Sequence, residues 1–278
     1  MKERVTLTLD SEVLQEVDGR VDGHKIKNRS HAVELLLMQA MGKNKPQLAL
    51  VLAGGKGTRL RPLTHEIPKP LIPVHDKPLL AHSFDLFRKY GITDVLLSVG
   101  YKADKIRQVL SSNGNFGMAI TYVEESEPLG TAGPIRLAKP YIHDTFIACN
   151  ADELKDIDIM DMYMTHKENK ALATIALTTV EDPSQYGVAN LKGNRIQAFV
   201  EKPRREEAPS NLINAGFYIL EPEVIDYIPE GFTMIEKDVF PKLAKEGKLF
   251  GYPFDGQWFD TGTMERYELA LKKWKDLR

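Results

Sequence analysis

Cysteine is almost missing from this chain: Cys149 stands alone among 278 residues, so no internal disulfide can form and no cysteine-rich metal site can be built. No apolar run is long enough to cross a bilayer, and the charged start lacks the apolar core of a secretory signal. An excess of charge is missing too. Lys and Arg number 37 against 39 Asp and Glu, a net charge of -2, which argues against a protein that coats polyanions. The seven histidines show no ligand spacing such as HExxH, and no repeat or low-complexity tract is visible. These absences leave cytoplasmic residence as the expectation. The 42% hydrophobic content suffices for a substantial core in one large or two modest domains.

What the chain does have is a glycine-rich turn in residues 52–70, LAGGKGTRLRPLTHEIPKP, directly after the apolar run 48–53. A buried strand that ends in such a turn offers backbone N–H groups to a phosphate, because glycine lets the main chain come close. Arg59 and Lys69 add fixed positive charge beside it. Two familiar phosphate loops do not fit. A Walker loop needs Ser or Thr after its lysine, but Gly57 follows Lys56. A dinucleotide fingerprint starting at Gly55 needs glycine at position 60, which is Leu60. The stretch reads as a triphosphate cradle at the carboxyl end of a strand in an α/β sheet.

Five further segments follow in order: Pro128-Leu129-Gly130-Thr131-Ala132-Gly133, Asn150-Ala151-Asp152, Glu201-Lys202-Pro203, Asn214-Ala215-Gly216-Phe217-Tyr218 and Trp258-Phe259-Asp260-Thr261-Gly262-Thr263. With LAGGKGTRLRPLT and Pro68-Lys69-Pro70, they resemble the motifs of the sugar-1-phosphate nucleotidyltransferases, over roughly residues 47–275. The resemblance implies a Rossmann-like fold with a mixed, mainly parallel sheet. It implies attack of a sugar 1-phosphate on a nucleoside triphosphate, with Mg2+ as cofactor, giving an NDP-sugar and pyrophosphate. Leu52, Ala53, Gly54, Gly55, Gly57, Thr58 and Gly130 would contact the nucleotide. Arg59 would lie along the triphosphate and Lys69 near the α-phosphate, with Arg59, Lys69 and Asp152 as the catalytic set. Asp152 and Asp260 would hold the metal; Glu201, Lys202, Asn214 and Gly216 would hold the sugar phosphate. Ala151 stands where the family usually has glycine. Pro70 stands where thymidylyl relatives have glutamine, closer to the guanylyl and mixed-specificity branches, so GDP-mannose and UDP- or dTDP-glucose products both stay open.

The chain divides near residues 42–46, giving expected domains 1–45 and 46–278. Residues 4–9 alternate polar and apolar, as a half-buried strand does. Asp10 or Ser11 suits a helix cap, and Asn28 suits a second. One strand and two helices cannot bury a core alone, and pairing the strand with a second copy is the simplest repair. Residues 4 to about 41 resemble the ribbon-helix-helix DNA-binding domains of the CopG and Arc class. That likeness implies a homodimer or higher even oligomer that reads bases through Arg4, Thr6 and Thr8 and holds a phosphate at Asn28, Arg29 and Ser30. Against this, eight basic residues face seven acids in the first 46, so the module would bind DNA weakly or serve only to dimerise.

In the larger part, strands are expected near 48–53, 94–99, 119–123, 145–149, 171–180, 187–191, 196–200, 214–220 and 250–254. Helices are expected near 78–89, 103–110, 131–138, 158–168, 222–228, 235–245 and 264–274. Three functions remain open: the transferase, a transcription regulator whose transferase-like domain senses a sugar nucleotide, and a related transferase of another substrate class.

Overall fold

The computed structural model describes residues 4–23, 26–40, 42 and 45–277. They form two compact units, Met1–Lys45 and Pro46–Arg278.

In the first unit, α1 (Ser11–Gly19) starts at Asp10, whose Oδ1 accepts from the Glu12 N–H at 2.9 Å. Asn28 precedes α2 (Arg29–Ala40) and accepts from the His31 N–H at 3.0 Å. Each cap satisfies an N–H that the helix leaves unpartnered. Arg29 forks onto Asp18 at 2.7 and 2.6 Å and so ties α2 to α1. Val17 and Ala32 are the buried apolar side chains among the described residues of this unit. The strand expected at 4–9 is not formed, because a lone extended segment has no ladder to join. Val5, Leu7 and Leu9 are 72%, 55% and 39% exposed. Met41, Lys43 and Asn44, at the end of the expected module and in its linker, lie outside the described residues.

The second unit runs β1 (Leu48–Leu52), α3 (Leu63–Glu66), β2 (Pro73–Val74), β3 (Lys77–Pro78), α4 (Leu79–Lys89), β4 (Asp94–Val99), α5 (Ala103–Ser112), β5 (Ala119–Glu124), α6 (Gly133–Leu137) and β6 (Phe146–Asn150). It continues with β7 (Glu153–Lys155), α7 (Ile159–Glu168), β8 (Ala173–Thr179), β9 (Gly187–Lys192), β10 (Arg195–Glu201), β11 (Leu212–Leu220), α8 (Phe240–Lys245), β12 (Leu249–Pro253), β13 (Trp258–Asp260) and α9 (Met264–Lys273). Nine strands make one sheet in the order β5-β4-β1-β6-β11-β8-β12-β10-β9. The β5-β4-β1-β6 half is parallel, with crossovers through α4 and α5. Beyond β6 only β12 runs parallel to its neighbour β8; the other pairings are antiparallel. Only residues 193–194 join β9 to β10, and so short a turn permits nothing but an antiparallel pair. The parallel character expected of the sheet therefore belongs to its first half.

Alternation puts the two faces of this sheet into separate cores. Val51, Leu97, Ile147 and Phe217 pack with Phe84, Phe87 and Ile106 on one face. Leu50, Leu96, Phe146 and Tyr218 pack with Ile135, Phe240 and Leu243 on the other. Strands buried on both sides are what near-continuous apolar runs such as LALVL produce. Two expected helices differ. Pro222–Tyr227 is a 3-10 segment, and 235–245 splits into a π turn (Ile235–Val239) followed by α8. Pro241 has no N–H for the preceding turn and its ring crowds it, so the Phe240 N–H reaches back to the Ile235 carbonyl instead. No helix among the described residues is long and apolar enough to cross a membrane.

At the end of β11, Glu221 accepts from His166 Nε2 (3.1 Å), Lys167 Nζ (2.7 Å) and Thr145 Oγ1 (2.8 Å). Burial pushes the Glu221 carboxyl up, but these bonds and the lysine charge outweigh it and hold it down at about 2. Burial also lowers the His166 pKa and favours the neutral ring. Both groups take up protons on unfolding in acid, so stability rises with pH through this range. The Glu221 contribution, on the order of 3 kcal/mol, is complete above about pH 4.5 and is lost between there and about pH 2. Urea midpoints measured against pH are expected to fall along that limb, and Glu221→Gln to flatten it.

Candidate active site

The cleft begins where β1 stops. The Ala53 N–H bonds the Ser98 carbonyl at the end of β4, and the chain leaves the sheet through Gly54 and Gly55. Gly57 takes a left-handed φ of 61° and starts the short 3-10 turn Thr58–Leu60, and the Thr64 hydroxyl donates to its carbonyl at 2.9 Å. This places Thr58 and Arg59 on the rim. Lys69 follows in a second 3-10 turn and is 6% exposed. Its ammonium is not left alone, because Lys69 Nζ pairs with Asp152 Oδ2.

Asp152 sits just past β6, where the Ala151 N–H bonds the Leu52 carbonyl across the sheet. Its own carbonyl accepts from Thr261 Oγ1 at 2.8 Å. β7 and β13 pair antiparallel with Glu153 opposite Asp260, so two aspartates far apart in sequence come to neighbouring positions. Asp260 accepts from Arg266 Nη1 at 2.5 Å and from the Gly262 N–H at 2.6 Å. A β-carbon on Gly262 would lie 2.8 Å from Asp260 Oδ1 and 3.0 Å from Arg59 Nη2, so the guanidinium reaches the same corner.

Surrounding charges decide the protonation here. Burial raises the Asp152 carboxyl, but Lys69, with Lys155 and Arg59, outweighs it and leaves the group below the usual carboxylate range. Glu153 goes the other way: burial, reinforced by Asp152 and Asp260, lifts it to about 7 despite Lys155. Lys155 bonds Glu153 Oε2 and the Gly216 carbonyl, both at 3.1 Å.

The cleft holds about 450 Å3 and is lined by Leu52, Ala53, Gly54, Gly55, Gly57, Thr58, Arg59, Lys69, Gly130 and Asp152, all of which the motifs single out. Glu125, Asn150, Phe232, Met234 and Gly262 line it as well. Asp260, Glu201, Lys202, Asn214 and Gly216 do not line this cleft but are joined to it by contacts. The Tyr186 hydroxyl donates to Asp260 at 3.4 Å, while its carbonyl accepts from the Lys202 N–H at 2.9 Å. Lys202 holds a strained φ of 49°, and its ammonium stands 3.6 Å from Glu201, which burial lifts above the usual carboxylate range. Asn214 donates to the Tyr218 hydroxyl and accepts from the Gly216 N–H, each at 2.9 Å. Of the expected DNA-reading residues, Arg4, Thr6 and Thr8 are exposed, Asn28 and Ser30 lie at the start of α2, and Arg29 is engaged by Asp18.

Motif reading passes over Tyr186, Arg266, Glu125 and Glu236. Arg266 lies three residues past the Trp258–Thr263 segment, and Glu125 five before Gly130, so proximity to a motif was the available signal. Nothing in the sequence marks Glu236, on the π turn, which accepts from Thr131 Oγ1 at 2.6 Å. That bond, with the Ala132 N–H on the Thr233 carbonyl, straps the 128–133 loop to the 231–236 segment. Gly130 stands inside the strap with φ 79°, where a β-carbon would collide with the Thr233 carbonyl. Gly130→Ala is expected to cost about 1–3 kcal/mol of unfolding free energy, read from urea denaturation, through combined strain and steric clash.

The family model for nucleotidyl transferase matches residues 48–276. Mannose-1-phosphate guanyltransferase beta-B of Xenopus laevis is 43% identical over 220 residues, 77% of this chain and 61% of that protein. The mannose-1-phosphate guanyltransferase of Yarrowia lipolytica is 42% identical over 219 residues, 77% of this chain and 60% of that protein. The chain thus spans about three-fifths of the length of these curated relatives. Among solved structures, a UDP-glucose pyrophosphorylase complexed with UDP-glucose superposes with a TM-score of 0.71 at 26% identity, covering 82% of this chain and 97% of that one. HddC from Yersinia pseudotuberculosis complexed with GMP-PN gives 0.70 at 29% identity, covering 82% of this chain and 100% of that one.

Proposed function

The chain belongs to the nucleotidyl transferase family, and from that premise we propose that it joins a nucleoside triphosphate to a sugar 1-phosphate, yielding an NDP-sugar and pyrophosphate. The observation that carries this reading is the cleft in which the glycine loop, Arg59 and the Lys69–Asp152 pair meet. A phosphate oxygen of the sugar attacks the α-phosphorus; a new P–O bond forms as the bond to pyrophosphate breaks and its electron pair leaves with that group. Two anions must approach, so the reaction needs charge neutralisation and in-line positioning more than a covalent nucleophile. Arg59 balances charge on the departing pyrophosphate and Lys69 faces the α-phosphate. Lys202 and Glu201 hold the phosphate and a hydroxyl of the sugar, beside Asn214 and Gly216. The guanyltransferase relatives favour a GDP-mannose-type product, with UDP- or dTDP-glucose as the alternative.

A magnesium ion fits the donors present. The described residues hold no group of three or more His, Cys, Asp or Glu that could cage a metal. Asp152 and Asp260, each now matched by a cation of the chain, offer two carboxylates and leave other positions to phosphates and water, as Mg2+ prefers. Asp152 and Asp260 would hold the ion, which when bound would offset the charge of the reacting phosphates. Cytoplasmic residence suits a single buried thiol and phosphorylated substrates. The presence of Arg59, Lys69, Asp152, Lys202 and Asp260 favours catalysis over sensing alone.

The first unit supports a second role. Val5, Leu7 and Leu9 are exposed on a segment with no ladder, as expected if a second copy supplies the pairing strand of a ribbon-helix-helix dimer. Arg4, Thr6 and Thr8 would then face DNA.

Pyrophosphate release over a grid of nucleoside triphosphates and hexose 1-phosphates is expected to find an active pair, and Asp152→Asn and Asp260→Asn each to slow it on the order of a hundredfold or more. An inactive grid, or undiminished release in both variants, overturns the assignment. For the first unit, selection from random duplexes should enrich a sequence that the Arg4→Ala, Thr6→Ala double variant no longer prefers; failure of enrichment rejects DNA reading.

A further inference from the structure

Lys155 carries a full positive charge at 3% exposure and does not line the cleft. It lies on β7 two residues from Glu153, so alternation puts both side chains on one face of that strand, while Leu154 packs into a core on the other. An ammonium taken out of water is penalised unless it is paired and its three donors are met. Here all three are met. Lys155 Nζ donates to Glu153 Oε2 at 3.1 Å, to the Gly216 carbonyl at 3.1 Å and to the Asn150 carbonyl at 3.5 Å. A methionine would fill a similar volume without that penalty, so packing alone gives no reason for a cation at this place.

What those donors hold is the backbone of the site. Asn150 ends β6, lines the cleft and stands two residues before Asp152. Its carbonyl accepts from Lys155, and its side-chain amide donates to Glu153 Oε1 at 3.2 Å. Gly216 lies where the register of β11 against β8 shifts, between Asn214 and Tyr218, and takes a left-handed φ of 59°. Its N–H bonds Asn214 Oδ1 and its carbonyl bonds Lys155, so this irregular stretch is pinned at both ends of the residue. A β-carbon on Gly216 would collide with Glu153 Oε2 and Asn150 Nδ2, so the ion pair is laid directly against that backbone. Asp260 stands opposite Glu153 on the β7–β13 ladder. One buried pair thereby joins the loop of Asp152, the strand of Asp260 and the stretch that carries Asn214 and Gly216.

We propose that Lys155, paired with Glu153, is a positioning residue for the transfer step: it fixes the nucleotide end of the site to the sugar end, so that the attacking oxygen meets the α-phosphorus in line. The inference rests on the transferase reading and goes beyond it by assigning the group that sets where the two substrates stand relative to each other. Lys155 contacts neither substrate in that reading. Its loss leaves the contacts of Arg59, Lys69 and Lys202 in place and loosens only the geometry of attack. Alignment lost without contact lowers kcat and spares KM.

Steady-state pyrophosphate release by the full chain tests this, measured with the active pair of the substrate grid and set beside urea denaturation of the same proteins. GTP with mannose 1-phosphate is the pair that the guanyltransferase relatives favour. Lys155→Met leaves Glu153 buried without its cation and is expected to lose stability as well as rate. Lys155→Met combined with Glu153→Gln removes both charges together. That double variant is expected to fold, with kcat about ten- to a hundredfold below wild type and both KM values within about threefold. A double variant that keeps the wild-type kcat overturns the proposal, as does one whose loss appears in KM instead. Failure of both variants to fold overturns it too, because Lys155 would then be a stability element only. A wild type that releases no pyrophosphate with any pair sinks the transferase reading and this inference with it; wild-type turnover with an unimpaired double variant sinks this inference alone.

Discussion

The ion pair between Lys69 and Asp152 is the contact on which the rest of the cleft depends. Lys69 is nearly closed off from solvent, and an ammonium so placed without a partner would carry an uncompensated desolvation penalty of several kcal/mol. Asp152 therefore matters to the folded state before any substrate arrives. It also fixes the loop after β6 against the 3-10 turn that carries Lys69. Asp260, locked by Arg266 and the Gly262 N–H, repeats the arrangement across the β7–β13 ladder. Negative charge in this corner is balanced by the chain's own cations.

The two halves of the sheet divide the work. Parallel strands β1, β4 and β6 end together: Ser98 lies near the end of β4, and the loops leaving β1 and β6 carry Gly54 and Asp152, the position that open α/β sheets reserve for ligands. The more antiparallel half brings Glu201, Asn214 and Gly216 from β10 and β11, and the register of β11 against β8 shifts between Asn214 and Tyr218, where Gly216 lies. Between the halves, the bond from Thr131 to Glu236 straps the loop beside Glu125 to the π turn. Irregular turns of this kind occur where geometry is set by function more than by helix propensity.

The first unit follows the logic of caps and pairs. Asp10 and Asn28 start its helices, and Arg29 with Asp18 joins them. The few side chains it buries, Val17 and Ala32 among them, are little for a free-standing fold. The alternating segment before α1 leaves Val5, Leu7 and Leu9 exposed.

Local interactions were legible from residues alone. LALVL reads as a strand covered on both faces, the glycines after it as a turn, and Asp10 and Asn28 as caps, because each signal is contained within a few neighbours in sequence. Co-linear motifs likewise pointed to Leu52, Gly54, Arg59, Lys69, Gly130 and Asp152, which line one cleft. The alternation of residues 4–9 named a face but could not supply a partner, so no strand forms there. Only the tertiary structure set Asp260 beside Glu153, turned Glu125 over Gly54, and brought Arg266 and Tyr186 onto Asp260. β7 and β13 have three residues each, too few for a periodic pattern, and a side chain's direction into a cleft depends on neighbours distant along the chain. Sequence determined which groups are present and the local shapes they favour; long-range packing decided which of those groups meet.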